Sequence, residues 1–232
     1  MIVIKVADIP VGIDNRYSQV AVLCKDYLTD EEPVFSVRAL DSDIEKEREV
    51  SDAEYSDAYL ESVVVYRLIA EHLPKYGAIV FHGAVLALNG SAYAFTARSG
   101  VGKTTHTRLW LDEIDGSYYL NGDKPIIRLI DGVPYAYGTP WRGKEGYGVN
   151  ECAPLVSVAL LERGERNSAV SIESNLATMR FIKQIYIPKN PSTAALAMRV
   201  ADRIISSVRF VELRCNMDPE AAHVAYREMT KQ

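Results

Sequence analysis

The sequence predicts an α/β fold in which helices flank a mixed β-sheet that carries a phosphate-binding loop, with a β-rich extension at the N-terminus. Residues 97–104 match the pattern G-x-x-x-x-G-K-[ST], with alanine in place of the first glycine. An Asn-Gly pair joins two apolar runs just before that loop, which is typical of a β-hairpin. Strand-like and helical patterns both recur from there to residue 231.

Composition and charge narrow the class of protein. The chain has 232 residues, 48% apolar and 25% charged, which is ordinary for a globular protein. A formal net charge of −5 argues against nucleic-acid binding. No apolar run approaches the ~20 residues of a membrane span, and no secretory leader is evident. We therefore expect a cytoplasmic protein without a membrane partner, whose three reduced cysteines are buried as small hydrophobes: Cys24, Cys152 and Cys215.

Residues 1–75 are predicted to form strands plus a helix, packed as an appendage. Apolar runs at 2–6, 19–24 and 34–40 indicate strands, with a turn at residues 12–15. The acidic stretch 41–57 predicts a solvated, mobile connection; an acidic surface that repels anions is the alternative. Helical spacing over 55–73, ended by a proline, predicts the helix.

Residues 76–232 are predicted to form the domain that carries the loop, unless the whole chain is one continuous domain. Strands are expected at 78–81, 84–88, 93–96, 155–162, 169–172 and 208–213, and within 117–137 around a turn at 132–134. Helices are expected at 104–114, 175–187, 192–206 and 219–231, and residues 138–154 are expected to form a loop.

The loop motif predicts ATP and Mg²⁺ as the bound cofactors. Its backbone N–H groups would surround polyphosphate oxygens, Lys103 would contact the outer phosphates, and the Thr104 hydroxyl would bind Mg²⁺. A strand before the loop and a helix after it supply the context that the motif requires. A glycine-containing turn that matches by chance is the alternative. The predicted nucleotide contacts are Arg98, Ser99, Gly100, Val101, Gly102, Lys103, Thr104, Thr105 and Lys144.

Four motifs occur in an order typical of one protein family. They are His82-Gly83 before the hairpin, the loop itself, Leu120-Asn121-Gly122-Asp123, and Pro140-Trp141-Arg142-Gly143. With these motifs, residues 78–165 resemble the kinase domain of the HPr kinase/phosphorylase family and its smaller HPr-kinase-like relatives. The ATP-using phosphoenolpyruvate carboxykinases are similar more distantly. The resemblance implies a mixed sheet that carries the loop. The family usually has two consecutive aspartates where this chain has Gly122-Asp123.

The resemblance implies catalytic roles for Asp123, Lys103, His82 and Arg142. Asp123 would contact the metal together with Thr104, or act as general base for the acceptor hydroxyl. His82 would orient Asp123 or respond to phosphate charge. Arg142 would stabilise negative charge on the transferred phosphoryl group. The alternative for Asp123 and Arg142 is a solvated residue in a surface turn, and the alternative for His82 is a structural histidine.

A neighbouring residue, Glu145, could pair with Arg142 or Lys144, or bind the metal. His106 lies too far along the helix to bind phosphate, so we assign it to packing or to the acceptor side.

We therefore predict an ATP- and Mg²⁺-dependent kinase that phosphorylates a hydroxyl, with serine favoured. Its acceptor partner would be a protein, a peptide or a metabolite. A nucleotide-binding regulatory module with little or no transfer is the alternative, and a carboxykinase-like enzyme is a third. The sequence leaves the reverse phosphorylase reaction and the subunit number open, a homo-oligomer included.

Overall fold

A computed structural model describes residues 1–98 and 100–231 of the chain. It shows a mixed α/β fold, as the sequence predicts. The N-terminal part contains these elements, in order: β1 (Ile2–Val6), β2 (Ile9–Ile13), α1 (Ser18–Leu23), β3 (Phe35–Val37), α2 (Asp41–Glu49) and α3 (Asp57–His72). Strands β1, β2 and β3 form a small sheet in that order, and short 3₁₀ turns follow α1 and α3.

The remaining elements build a larger sheet with helices on both sides. The strands are β4 (Ala78–Val80), β5 (Ala84–Leu88), β6 (Ser91–Thr96), β7 (Tyr118–Asn121), β8 (Ile126–Ile130), β9 (Val133–Tyr137), β10 (Cys152–Arg163), β11 (Ser168–Ile172) and β12 (Arg209–Cys215). The helices are α4 (Lys103–Glu113), α5 (Ser174–Ile182), α6 (Pro191–Ile205) and α7 (Glu220–Met229).

Strand β10 organises the large sheet. Within the described residues this sheet has nine strands, seven of them in the order β4-β8-β9-β10-β6-β5-β7, while β12 pairs with β10 and β11 with β12. The first residues of β10 pair antiparallel with β9, and its later residues pair parallel with β6 and β12. Its register with β6 shifts between Leu155 and Ser157. The sheet is therefore mixed, with β6 in its interior.

The two faces of the large sheet are covered by different helices. Neighbouring residues Val85 and Leu86 of β5 belong to different cores, because successive side chains of a strand point to opposite faces. Val85 joins a core with Phe181 of α5, and Leu86 joins one with Trp110 of α4. Strand β6, which leads towards α4, therefore lies inside a sheet that has helices on both faces.

The N-terminal part packs directly on the large sheet. Its core residues form one cluster with residues from β4, β8 and β9. The Trp141 indole N–H donates to the Ser62 carbonyl of α3 at 3.0 Å, and the Tyr137 hydroxyl donates to the Asp8 carboxylate at 2.6 Å. The segment 138–151 is thereby held against α3.

The structure corrects the strand prediction for residues 19–24, since residues 18–23 form helix α1. Val20 and Cys24 are fully buried and Leu23 is partly buried, while Val22 is 67% exposed. This i, i+3, i+4 spacing buries one side of a helix, whereas a strand would bury alternate residues. The β-branched content of the segment favoured the wrong period.

The acidic stretch 41–57 was wrongly predicted to be a mobile connection, because its first half is helix α2. Acidic residues occupy the first turn of α2 and basic residues the last turn, which suits the helix dipole. The Asp43 carboxylate accepts from the Leu40 backbone N–H at 3.2 Å, and Ile44 and Glu47 are buried. The local charge pattern therefore stabilises a helix that packs on α3.

Smaller differences concern turns, strand ends and cysteines. Strand β2 covers residues that were predicted to begin a turn, and Pro134 lies inside β9 because the turn before it is Asp131-Gly132. Cys24 is buried as expected and Cys215 partly so, but Cys152 is exposed, against the prediction. Among the helices that the structure describes, none has the length and apolar character to cross a membrane.

Candidate active site

A cavity of about 460 Å³ lies where β6 leads into α4. The predicted loop forms one wall, and the segment after β7 together with residues 142–147 forms the opposite wall. Most predicted site residues line this cavity: His82, Arg98, Gly100, Gly102, Lys103, Thr104, Thr105, Asp123, Arg142 and Lys144. Val101 lines adjacent cavities instead, and Ser99 lies outside the described residues.

The loop enters α4 through two glycines with left-handed backbone. Gly100 has φ of 76° and Gly102 has φ of 117°, values that residues other than glycine rarely adopt. Helix α4 begins at Lys103, so its free backbone N–H groups and partial positive charge lie at the cavity. This arrangement suits an anionic ligand such as phosphate.

Asp123 is the centre of the charged groups in the cavity. Its carboxylate lies 3.4 Å from His82 Nε2, 3.7 Å from Lys103 Nζ and 3.5 Å from Lys124 Nζ. Burial works to raise the pKa of Asp123, but the contact with His82 and the charges of Lys124 and Lys103 outweigh it and lower the pKa to about 2. The carboxylate is therefore ionised at neutral pH.

Lys103 is more deeply buried than Lys124, since 17% of its side chain is exposed against 34% for Lys124. Burial lowers the pKa of Lys103, while the charge of Asp123 opposes that shift without cancelling it. A polyphosphate in the cavity would supply the negative charge that favours the protonated lysine.

A buried polar network fixes the position of Asp123. The Asn121 carboxamide oxygen accepts from the backbone N–H of Asp123 at 2.9 Å and of Lys124 at 2.7 Å. Its amide nitrogen donates to the Thr139 hydroxyl at 3.1 Å, and Thr139 in turn donates to the Lys124 carbonyl at 2.8 Å. The sequence analysis did not identify Asn121 and Thr139 as site residues, although Asn121 lies in the same Leu-Asn-Gly-Asp motif as Asp123.

Close backbone contacts explain the glycines next to Asp123. A Cβ at Gly122 would lie 3.1 Å from the Arg142 carbonyl oxygen and 3.3 Å from that of Tyr147. A Cβ at Gly143 would lie 2.9 Å from the Asp123 Cβ. A side chain at position 122 would therefore press on the backbone of the segment 142–147.

His82 and Asp123 are joined through backbone as well as side chain. The His82 backbone N–H donates to the Gln184 carbonyl at 2.6 Å, and its own carbonyl accepts from the Thr96 hydroxyl at 3.0 Å. The next residue, Gly83, donates to the Asp123 carbonyl at 3.0 Å. The His82 side chain itself is half exposed, so it can meet a ligand in the cavity.

Arg142 and Glu145 have partners that the sequence did not predict. The Arg142 guanidinium lies 3.4 Å from the Asp26 carboxylate and 5.8 Å from the centre of the Tyr27 ring. Glu145 pairs with Arg108 at 2.7 Å rather than with Arg142 or Lys144. Arg142 therefore links the cavity, which it lines, to the N-terminal part of the chain.

His106 is buried in packing rather than placed on the acceptor side. It is 2% exposed, its ring centre lies 5.4 Å from that of Phe95, and burial lowers its pKa to about 4. Within the described part of the chain, neither ring nitrogen has a hydrogen-bond partner.

The donor set of the cavity fits a metal ion that arrives with a nucleotide. Among the described residues there is no group of three or more His, Cys, Asp or Glu side chains that could hold a metal. Mg²⁺ commonly takes only one or two protein ligands and completes its shell with phosphate oxygens and water. A Thr104 hydroxyl and an Asp123 carboxylate on the same cavity meet that requirement.

Comparison with known proteins finds a distant structural neighbour. No family model matches the chain, and neither does any curated protein sequence. Among solved structures, the chain is similar to the Hpr(Ser) kinase/phosphatase from Coxiella burnetii, with 8% sequence identity and a TM-score of 0.39. That match covers 64% of this chain and 94% of the other. A similarity at this level identifies neither a family nor a function, so the chemistry has to be derived from the cavity itself.

Proposed function

We propose that this protein is an ATP- and Mg²⁺-dependent kinase that transfers the γ-phosphoryl group to a hydroxyl. One observation carries the proposal: Lys103, Asp123 and His82 meet in a single cavity at the N-terminus of α4, next to a loop of the phosphate-binding pattern. Lys103 and the loop N–H groups would hold the phosphates. When bound, Mg²⁺ would neutralise phosphate charge, with Thr104 and Asp123 as its protein ligands.

The transfer itself needs few protein groups. The acceptor oxygen bonds to the γ-phosphorus while the bond from that phosphorus to the oxygen of the leaving ADP breaks, and the hydroxyl proton passes to Asp123. A carboxylate whose pKa is about 2 is a weak base, so its main contribution is to align the hydroxyl before the proton leaves. His82, 3.4 Å away, lies within reach of Asp123 to hold it in that orientation.

Paired substitutions at the two central residues test the proposal. Lys103→Ala removes the cation that contacts the phosphates, so ATP affinity should fall about tenfold or more, as measured by calorimetry with Mg²⁺. Asp123→Asn keeps the shape of the side chain and removes its charge, so turnover of radiolabelled ATP should fall about 100-fold. The matched control is Lys75→Ala, an exposed lysine outside the cavity, which should change neither quantity. Full activity of both site variants would disprove the assignment.

A regulatory nucleotide-binding module is the second candidate. It is favoured by Gly122, which leaves one carboxylate where related kinases usually have two. Such a module would bind ATP with Mg²⁺ as tightly as a kinase, yet it would release no labelled phosphate to water or to any alcohol. Single-turnover measurements with the protein in excess of labelled ATP, corrected for background hydrolysis, therefore separate the two candidates.

A further inference from the structure

A second cavity, of about 570 Å³, adjoins the first and also has Asp123 in its wall. Its walls come from α1, α3 and the segment 140–146, so the N-terminal part of the chain forms much of it. Four residues line both cavities: Asp123, Arg142, Gly143 and Lys144. The two cavities therefore meet at the carboxylate that the proposed function places beside the acceptor hydroxyl.

The lining of this second cavity is largely apolar. Val22 and Tyr59 are 67% and 41% exposed, although both are large apolar side chains. Tyr66 and Trp141 are buried, with ring centres 5.2 Å apart. Three lysines, Lys25, Lys124 and Lys144, also line the cavity. Exposed apolar side chains that converge on a recess beside a charged site are typical of a small-molecule pocket.

We propose that the second cavity binds the phosphoryl acceptor, and that this acceptor is a small molecule with its hydroxyl on an apolar body. The inference rests on the proposed kinase function. In phosphoryl transfer the attacking and the leaving oxygen lie roughly in line on opposite sides of the γ-phosphorus, so the acceptor must bind next to the phosphate site without occupying it. The second cavity meets that requirement, since it shares Asp123 with the first cavity while the predicted phosphate loop lines the first cavity and not the second.

The size of the recess favours a small molecule over a folded protein. Small-molecule pockets commonly have volumes of about 300–1,000 Å³, and this cavity falls within that range. A folded protein acceptor would instead need a contact surface of about 800 Å² on this chain. In the proposed reaction the acceptor oxygen gains the phosphoryl group, ADP leaves, and the hydroxyl proton passes to Asp123.

Trp141 offers a direct reporter of binding in this cavity. In a Trp110→Phe background it is the remaining tryptophan of the chain. Addition of 3-phenylpropan-1-ol should change its fluorescence in a saturable way, whereas propane-1,3-diol, which has hydroxyls and no ring, should not. Calorimetry on the unmodified protein with the same two alcohols repeats the measurement without the core substitution.

Substitutions on the cavity wall link binding to transfer. Val22→Ser and Tyr59→Ser each remove apolar surface from the wall and should weaken binding of 3-phenylpropan-1-ol about fivefold, with a matching rise in KM for its phosphorylation by labelled ATP. Val34→Ser is the matched control, because Val34 is 53% exposed in the same part of the chain and lines neither cavity. It should leave both quantities unchanged.

The possible outcomes separate the two proposals. If ATP binds and is hydrolysed slowly, but 3-phenylpropan-1-ol neither perturbs Trp141 nor accepts label, the small-molecule acceptor is wrong and the kinase proposal stands. Equal effects of Val34→Ser and the two wall variants would also overturn the assignment of this cavity. If calorimetry shows no heat with ATP and Mg²⁺, both proposals fall.

Discussion

Asp123 illustrates how neighbouring charges can outweigh burial. Its carboxylate is only 26% exposed, which alone would favour the neutral acid, yet three polar or cationic neighbours hold it ionised. The same three neighbours limit its strength as a base. The residue is therefore better suited to bind a metal ion and to orient a hydroxyl than to remove a proton early in the reaction.

Gly143 and Gly132 allow the geometry around Asp123 to be tested with a matched pair. Both have positive φ, of 76° and 84°, so alanine should destabilise the fold by about 1 kcal/mol at either position. Only at Gly143 would the new Cβ contact Asp123, at 2.9 Å; at Gly132, which lines neither cavity, nothing lies within 4 Å. Gly143→Ala should therefore also lower kcat, while Gly132→Ala keeps it. Thermal unfolding and steady-state kinetics check both, and equal kcat values would contradict this geometry.

Because His106 is buried, we expect the fold to lose stability as the pH falls. Burial lowers its pKa from an ordinary 6.5 to about 4, so the unfolded chain binds a proton that the folded protein resists. The free energy of unfolding should consequently fall by about 3 kcal/mol as the pH drops from 6.5 to 4, and remain unaffected above 6.5. His106→Phe should remove most of that slope in urea titrations. His223→Gln, at an exposed histidine, is the control that should retain it.

At the scale of elements, helix α1 depends on a single buried carboxylate from α3. Glu61 is fully buried and accepts from the backbone N–H of Arg16 at 2.6 Å and of Tyr17 at 2.9 Å, just before α1 begins. It satisfies two backbone donors in the partly buried segment that leads into α1. This contact positions the α1 wall of the second cavity.

Glu61→Gln should therefore loosen α1. The amide has one acceptor oxygen in place of two, so one backbone N–H loses its partner at a cost of about 2 kcal/mol. Hydrogen exchange at residues 16–23 should accelerate, with smaller changes in α4. The exposed Glu54→Gln is the control. If exchange in the 16–23 segment stayed at the original rate, the anchoring role of Glu61 would be wrong.

The elements that the sequence predicted correctly have strong local signals. The Asn-Gly turn marks the β5–β6 hairpin, and clear helical spacing marks α3, α4 and α6. The error at 19–24 arose because β-branched residues favoured a strand, and the error at 41–57 arose because the high acidic content concealed an order of charges that suits a helix. Within the cavity, the sequence motifs identified the charged residues. They did not identify the contact between Asn121 and Thr139, because these residues are 18 positions apart and no local pattern contains both.

At the scale of the whole molecule, the two predicted units share a core. Buried residues of β1, β2 and α3 cluster with residues of β4, β8 and β9. Hydrogen bonds cross the same boundary, including those from Arg128 to the Ala7 carbonyl and from Tyr186 to the Glu71 carboxylate. Removal of residues 1–75 would expose this apolar surface to water.

We therefore expect the chain to unfold in one cooperative transition. Scanning calorimetry should give a calorimetric enthalpy equal to the van't Hoff enthalpy. Residues 76–232 alone should be less stable by several kcal/mol and prone to associate, because they lose one face of their core. Two separate transitions in the intact chain would instead show independent domains.

The carbonyl oxygens that crowd Gly122 also constrain how this protein can change. A carboxylate installed at position 122 would place its methylene 3.1 Å from the Arg142 carbonyl oxygen and 3.3 Å from the Tyr147 carbonyl oxygen, so the facing segment would have to shift by a few tenths of an ångström. A paired-aspartate version of this site is therefore tied to how far the backbone of residues 142–147 can yield.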